Sequence, residues 1–169
     1  HPKWKMGKKI SVDSATLMNK VLEITEAFKL FPFDKKKYEI IIHPESLIHA
    51  IVKFKNGTTY FLYHTPDMKI PIFNAMFDGK FDYLKYYNEK STKKFSNQSL
   101  NFLPVDENKF TTLRLIPEMS KYESSSIILN AANEIFVDEF LKNNIRFNDI
   151  STYLNLVLKD KNYIKTSNM

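Results

Sequence analysis

Cysteine is absent from the 169 residues. There is therefore no disulfide framework and no thiolate metal site. Any bound metal would rest on carboxylates, histidine or water, which suits Mg²⁺ or Mn²⁺ better than zinc. Glycine is scarce: Gly7, Gly57 and Gly79 are the only three, too far apart for a glycine-rich nucleotide loop. Arginine is scarcer, with only Arg114 and Arg146. The formal net charge of +6 is thus a lysine charge, spread along the chain apart from clusters between positions 3 and 9 and at Lys35, Lys36 and Lys37. Bidentate readout of bases and phosphates favours arginine, so a dedicated nucleic-acid function is not expected. No apolar run approaches a membrane span, and nothing resembles a signal peptide.

What is present is ordinary in bulk, with 43% hydrophobic and 26% charged residues. That length and composition suit one or two small domains with a real core. The excess of Lys, Asn, Ile, Tyr and Phe resembles coding bias from an AT-rich genome, an expectation about origin. The chain opens on His1-Pro2-Lys3-Trp4 without an initiator methionine, as a processed or excised piece would.

Periodicity predicts a helix over 13–31, where Leu17, Val21, Ile24, Phe28 and Phe31 share one face. Ser11, Asp13 and Ser14 are its N-cap candidates. Positions 38–42 read as a buried strand. Positions 51–55 and 58–64 flank Asn56-Gly57, a hairpin turn signal. A helix follows from Pro66 or Met68 to Phe77. From 78 to 109 the chain is rich in Lys, Asn, Ser and Tyr, and reads as a linker partly ordered by its aromatics. Helical patterns return at 113–119, 124–142 and 147–158. The fold class is α+β: half of a mixed α/β domain with helices on a sheet, then a small all-α bundle.

Candidate chemistry sits on the first helix. At about 100° per residue, Thr16, Asn19, Lys20 and Glu23 fall within an arc of roughly 100°. Asn and Lys suit phosphate oxygens, Glu suits a hard cation, and Ser14 adds a hydroxyl where anions already bind well. The same spacing also fits a solvated face with an i,i+3 ion pair. A second candidate is the opening segment, where Trp4 and Met6 alternate with lysines and Gly7 is a possible hinge. Such a loop could close over an anionic substrate; it could equally be an exposed terminus.

The run His1-Pro2-Lys3-Trp4-Lys5-Met6-Gly7-Lys8-Lys9-Ile10-Ser11-Val12-Asp13-Ser14-Ala15-Thr16-Leu17-Met18-Asn19-Lys20 is more specific than its spacing. So are Ile42-His43-Pro44-Glu45-Ser46-Leu47-Ile48-His49, Pro66-Asp67-Met68 and Leu129-Asn130-Ala131-Ala132-Asn133-Glu134-Ile135. In order and spacing these resemble the 1-deoxy-D-xylulose 5-phosphate reductoisomerase family over nearly the whole chain outside the linker.

The resemblance implies an NADPH-binding domain, a catalytic domain that also dimerises, and a C-terminal helical bundle. Residues 1–78 would be part of the catalytic domain, 79–110 the linker and 111–169 an incomplete bundle. It implies reduction and rearrangement of a phosphorylated deoxy-ketose to 2-C-methyl-D-erythritol 4-phosphate, with NADPH and Mg²⁺ or Mn²⁺, in the non-mevalonate isoprenoid pathway. Carried over, His1, Ser14, Asn19 and Lys20 bind phosphate and substrate, and Glu23 is one of three metal carboxylates. Trp4 and Met6 belong to a flap closing on substrate, Lys20, Glu23 and His49 are catalytic, and Met68 and Gly7 lie on the cofactor side. His43 is expected to be a hydrogen-bonded structural histidine and His64 incidental. Asn130, Asn133 and Glu134 are expected to serve packing and hydrogen bonding.

The implied partners are the phosphorylated substrate, a second copy of the chain and an N-terminal NADPH domain of the same polypeptide, with no nucleic acid and no membrane. The other two metal carboxylates would lie upstream of His1 and the last helix beyond Met169, so the fragment alone is expected to be inactive. An apicoplast location follows from the AT-biased composition, with bacterial cytoplasm as the alternative. Rival readings are a stand-alone phosphate- or nucleic-acid-binding module and a purely structural dimerisation piece.

Overall fold

The computed structural model describes residues 6–86, 99–119 and 121–160. They form two compact units, one holding the residues up to Ile40 and from Pro104 onward, the other Ile41–Leu103.

In the first unit, α1 (Lys8–Thr16) and α2 (Met18–Leu30) are separate helices. The single helix expected over 13–31 is broken at Leu17, whose φ of 59° lies in the left-handed region. That conformation costs a branched side chain about 1–2 kcal/mol, and local bonding offsets it. The Thr16 hydroxyl donates to the Val12 and Asp13 carbonyls and accepts from the Met18 N–H at 3.3 Å, joining the end of one helix to the start of the next. The Thr112 hydroxyl donates to the Thr16 carbonyl.

The helix also starts earlier than its cap candidates: Gly7 precedes it, with no side-chain cap. Ser11, Asp13 and Ser14 all lie inside α1. The break rotates the buried stripe as well. Met18, Val21 and Thr25 are buried, whereas Phe31 ends the helix and is exposed.

After α2, the Asp34 carboxylate accepts from the Lys36 N–H and sets a 3₁₀ turn over Lys35–Lys37. Tyr38 leads out of it, its ring edge-on to Phe28 at 5.0 Å. The rest of the unit is a 3₁₀ turn (Thr111–Leu115), α5 (Ile116–Met119), α6 (Glu123–Leu141) and α7 (Phe147–Lys159). Asn143, at φ 64°, turns the chain after α6. The Asp149 carboxylate accepts from the Arg146 N–H at 2.9 Å and starts α7.

Ile150, Leu154 and Leu158 stack at four-residue spacing on one side of α7 and are buried with Leu129 and Val137 of α6, Leu115, Met18 and Val21. Each fully buried aliphatic of this kind contributes about 1.5–3 kcal/mol. Among the described residues one charged group joins this interior. Asp13 is 2% exposed, bonded to Lys9 Nζ at 2.8 Å and to Asn133 Nδ2 at 2.7 Å. Asn133 thus serves hydrogen bonding between α1 and α6, as expected of that segment.

In the second unit, β1 shrinks to Ile41–Ile42 instead of 38–42, because Tyr38 is drawn onto α2. The predicted hairpin is present: β2 (Ile48–Lys53) pairs antiparallel with β3 (Thr59–Tyr63), Ile51 opposite Phe61 and Lys53 opposite Thr59. Gly57, at φ 89°, takes the turn position that L side chains resist. The Asn56 side-chain oxygen accepts from the Thr58 N–H and hydroxyl.

Helix α3 (Lys69–Met76) follows as expected, then α4 (Tyr83–Tyr86), with Phe73, Phe77 and Phe81 stacked at 4.5 and 5.1 Å. A two-residue strand β4 (Leu103–Pro104), where the chain passes between units, pairs with β1. The α+β class holds, with a small strand content among the described residues.

Candidate functional site

The α1–α2 corner gathers polar side chains because of its break. Ser14 Oγ accepts from Asn19 Nδ2 at 3.1 Å across the turn. Lys20, one residue on, places its ammonium 2.7 Å from Glu23 Oε2. Both members of that pair are half exposed, at 44% and 57%. An amide, an ammonium and a carboxylate therefore share the first two turns of α2, with the Ser14 hydroxyl reaching them from α1, where the dipole of α2 favours an anion.

Thr16, expected on the same arc, is instead buried and committed to the helix junction. A continuous 100° progression would have kept it with Asn19 and Lys20. The left-handed Leu17 interrupts that progression and lets Ser14 take the place.

Glu23 is a single carboxylate, and no group of three or more His, Asp or Glu side chains among the described residues could hold a metal ion. These residues alone do not form a divalent-cation site. His1 and Trp4 lie outside the described residues. Met6 is half buried; Gly7 has ordinary angles, φ −63° and ψ 161°, and nothing within 4 Å of a built Cβ. The hinge reading of Gly7 thus finds no conformation that requires glycine.

The second unit holds the remaining candidates. His49 lies on β2, its Nε2 donating to the His64 carbonyl at 3.0 Å, with its ring stacked on His64. His64, expected to be incidental, thus packs on His49, although the strand register sets it beside Leu47 rather than opposite His49. Met68 precedes α3 and is 55% exposed.

Below it, Asp67 accepts from the Lys69 N–H and the Tyr83 hydroxyl, and the first of these chiefly holds its carboxyl below the ordinary 3.8. His43 Nδ1 sits 2.8 Å from the Asn101 carbonyl and 3.0 Å from Glu45, its ring stacked on Phe102. That is the hydrogen-bonded structural histidine expected. Glu45 is held below its ordinary 4.5, chiefly by the Asn101 side-chain amide.

The described residues thus form a helical unit with a polar corner and a smaller unit built on one hairpin. Residues 64–169 match a family model described as DXP reductoisomerase C-terminal domain. Residues 1–31 match one described as 1-deoxy-D-xylulose 5-phosphate reductoisomerase C-terminal domain. A curated relative of that name from Pelagibacter ubique (strain HTCC1062) is 41% identical, over all of this chain and 43% of its own length. One from Ehrlichia ruminantium (strain Welgevonden) is 45% identical, over 89% of this chain and 39% of its own.

A crystal structure of DOX-P reductoisomerase in complex with NADPH, fosmidomycin and magnesium superposes with a TM-score of 0.79 at 38% identity, over 95% of this chain and 39% of that one. The Zymomonas mobilis enzyme in complex with NADPH gives 0.77 at 32%, over 95% and 42%. The chain belongs to the 1-deoxy-D-xylulose 5-phosphate reductoisomerase family. It spans about two fifths of the length of these relatives.

Proposed function

We propose that this chain supplies the C-terminal part of an enzyme that converts 1-deoxy-D-xylulose 5-phosphate to 2-C-methyl-D-erythritol 4-phosphate with NADPH and a divalent metal. On its own it carries only part of the active site. The observation that carries this reading is the Ser14–Asn19–Lys20–Glu23 group at the α1–α2 corner, in a stretch the family model covers. Ser14, Asn19 and Lys20 bind the phosphate, with His1 also on the substrate. Glu23 is one ligand of the metal, whose other carboxylates come from sequence outside this chain. When bound, that metal supplies Lewis-acid polarisation of substrate oxygens.

The exposed Lys20–Glu23 pair is worth about 0.5 kcal/mol, so it opens readily. A phosphate that takes Lys20 frees Glu23 for a cation, coupling the two events. His49 orients the substrate, Trp4 and Met6 close over it, and Met68 and Gly7 face the NADPH side. Residues 1–78 act as part of the catalytic domain, 79–110 as a linker and 111–169 as helical domain. The exposed apolar residues of the hairpin, Val52, Phe54, Tyr60 and Leu62 among them, support self-association as a homodimer. An apicomplexan source and an apicoplast location rest on composition alone, with bacterial cytoplasm as the alternative; the relatives named above are bacterial.

The test is steady-state kinetics in a full-length form that includes the N-terminal remainder. The present chain alone should oxidise no NADPH. Glu23→Gln should lower kcat by about a thousandfold or more and recover partly with added Mg²⁺, while Lys20→Ala should chiefly raise KM, without metal rescue. A Glu23→Gln enzyme as active as its parent at low metal would overturn the reading.

A further inference from the structure

The β2–β3 hairpin is irregular at one residue. Ile48 faces Tyr63 and Ala50 faces Leu62, so β2 holds one residue more than β3 between those pairs. The extra residue is His49, and a bulge of this kind re-aims the side chain it carries. The His49 ring lies flat on that of His64, centroids 3.7 Å apart and planes within 10°.

Three hydrogen bonds hold the arrangement. His49 Nε2 is 3.0 Å from the His64 carbonyl, His64 Nδ1 is 2.6 Å from the Thr65 carbonyl, and the His64 N–H donates to the Leu47 carbonyl at 3.1 Å. A carbonyl oxygen only accepts, so both ring nitrogens carry their protons. Neutral His49 is thereby held as the Nε2–H tautomer and neutral His64 as the Nδ1–H tautomer.

We propose that His64 is a positioning residue for His49, setting the ring plane and tautomer with which His49 meets the phosphorylated substrate. The proposal rests on the placement of His49 at the substrate site in the reading above. His64 acts from both sides of its own backbone. Its ring supports the face of His49, and its Nδ1–H bond to the Thr65 carbonyl braces the backbone next to the His64 carbonyl that accepts from His49. A bulged residue has no regular ladder to orient it, so its direction depends on such contacts.

The experiment compares His49→Ala, His64→Ala and His64→Phe in the full-length enzyme, with kinetics and histidine ¹⁵N shifts. His64→Ala should raise KM for the deoxy-ketose phosphate about tenfold, with kcat within about threefold of wild type, because orientation is lost while the reacting groups remain. The His49 ¹⁵N shifts should move from the Nε2–H form to a mixture of tautomers. His64→Phe keeps a ring against His49 and should recover most of both effects. If His64→Ala does not fold, His64→Gln, which has no ring, carries the same expectation.

Unchanged kinetics for His49→Ala would overturn the site assignment and this proposal with it. Impaired His49→Ala alongside wild-type KM and ¹⁵N shifts in His64→Ala, even with lowered thermal stability, would overturn the positioning role and leave the site assignment standing.

Discussion

The two units differ in what they bury. Among the described residues of the unit of α1, α2 and α5–α7, twelve hydrophobic residues are buried, five of them at 0% exposure. Among the described residues of Ile41–Leu103 no hydrophobic residue is buried, and Val52, Phe54, Tyr60, Phe61, Leu62, Ile72, Met76 and Phe77 are all exposed. A helical stripe closes on neighbouring helices of its own chain. A two-stranded sheet has two faces and cannot cover either alone, and an isolated hairpin is marginal in water. One unit is thus held by its own core, and the other by local bonds, such as the Asn56 turn and the Asp67–Tyr83 contact, until something covers its apolar faces.

Hydrogen exchange on the chain alone would test this contrast most sharply. Amides of α6 and α7 should be protected roughly a thousandfold more than those of β2 and β3; equal protection would break the comparison. Next in size is Asp13→Ala, which removes the one described partner of Asn133, whose Oδ1 already has none. It should cost the helical unit about 2–3 kcal/mol, read as a lower urea midpoint at unchanged slope. Gly57→Ala acts in the other unit, where nothing crowds the new methyl and only φ 89° resists it. A cost of about 1 kcal/mol is expected, seen as loss of hairpin amide dispersion while α6 and α7 signals stay in place.

The smallest effect is acid sensitivity. Glu45 and Asp67 titrate below their ordinary 4.5 and 3.8 in the folded hairpin unit. A carboxyl whose folded pKa is depressed contributes stability that is whole above the ordinary value and is lost as pH falls through the folded one. Amide shifts near Asn101 and Lys69 should therefore move on acidification below those ordinary values. In the helical unit the comparable site is Asp149, lowered first by the Arg146 side chain, so amide shifts there should be confined to the start of α7.

The residues alone determined much of this protein. Alternation about Asn56-Gly57 located the hairpin, because a turn needing a left-handed residue is written in two letters. Helical periods located α3, α6 and α7 within a few residues. The order of the motifs from His1 to Ile135 pointed to the family and to Asn19, Lys20 and Glu23, since those side chains are local neighbours on one helix.

What the sequence did not reveal depends on contacts between distant segments. Leu17 is left-handed because Thr16 is captured by Met18 and by Thr112, a partner 96 residues away, and no local propensity favours a leucine there. Asp13 reads as a cap until Asn133, 120 residues on, draws it into the core. His64 was expected to be incidental, and only the paired strands, with their bulge at His49, bring its ring onto that of His49. Periodicity records which side of an element turns inward; tertiary packing alone decides what meets it there.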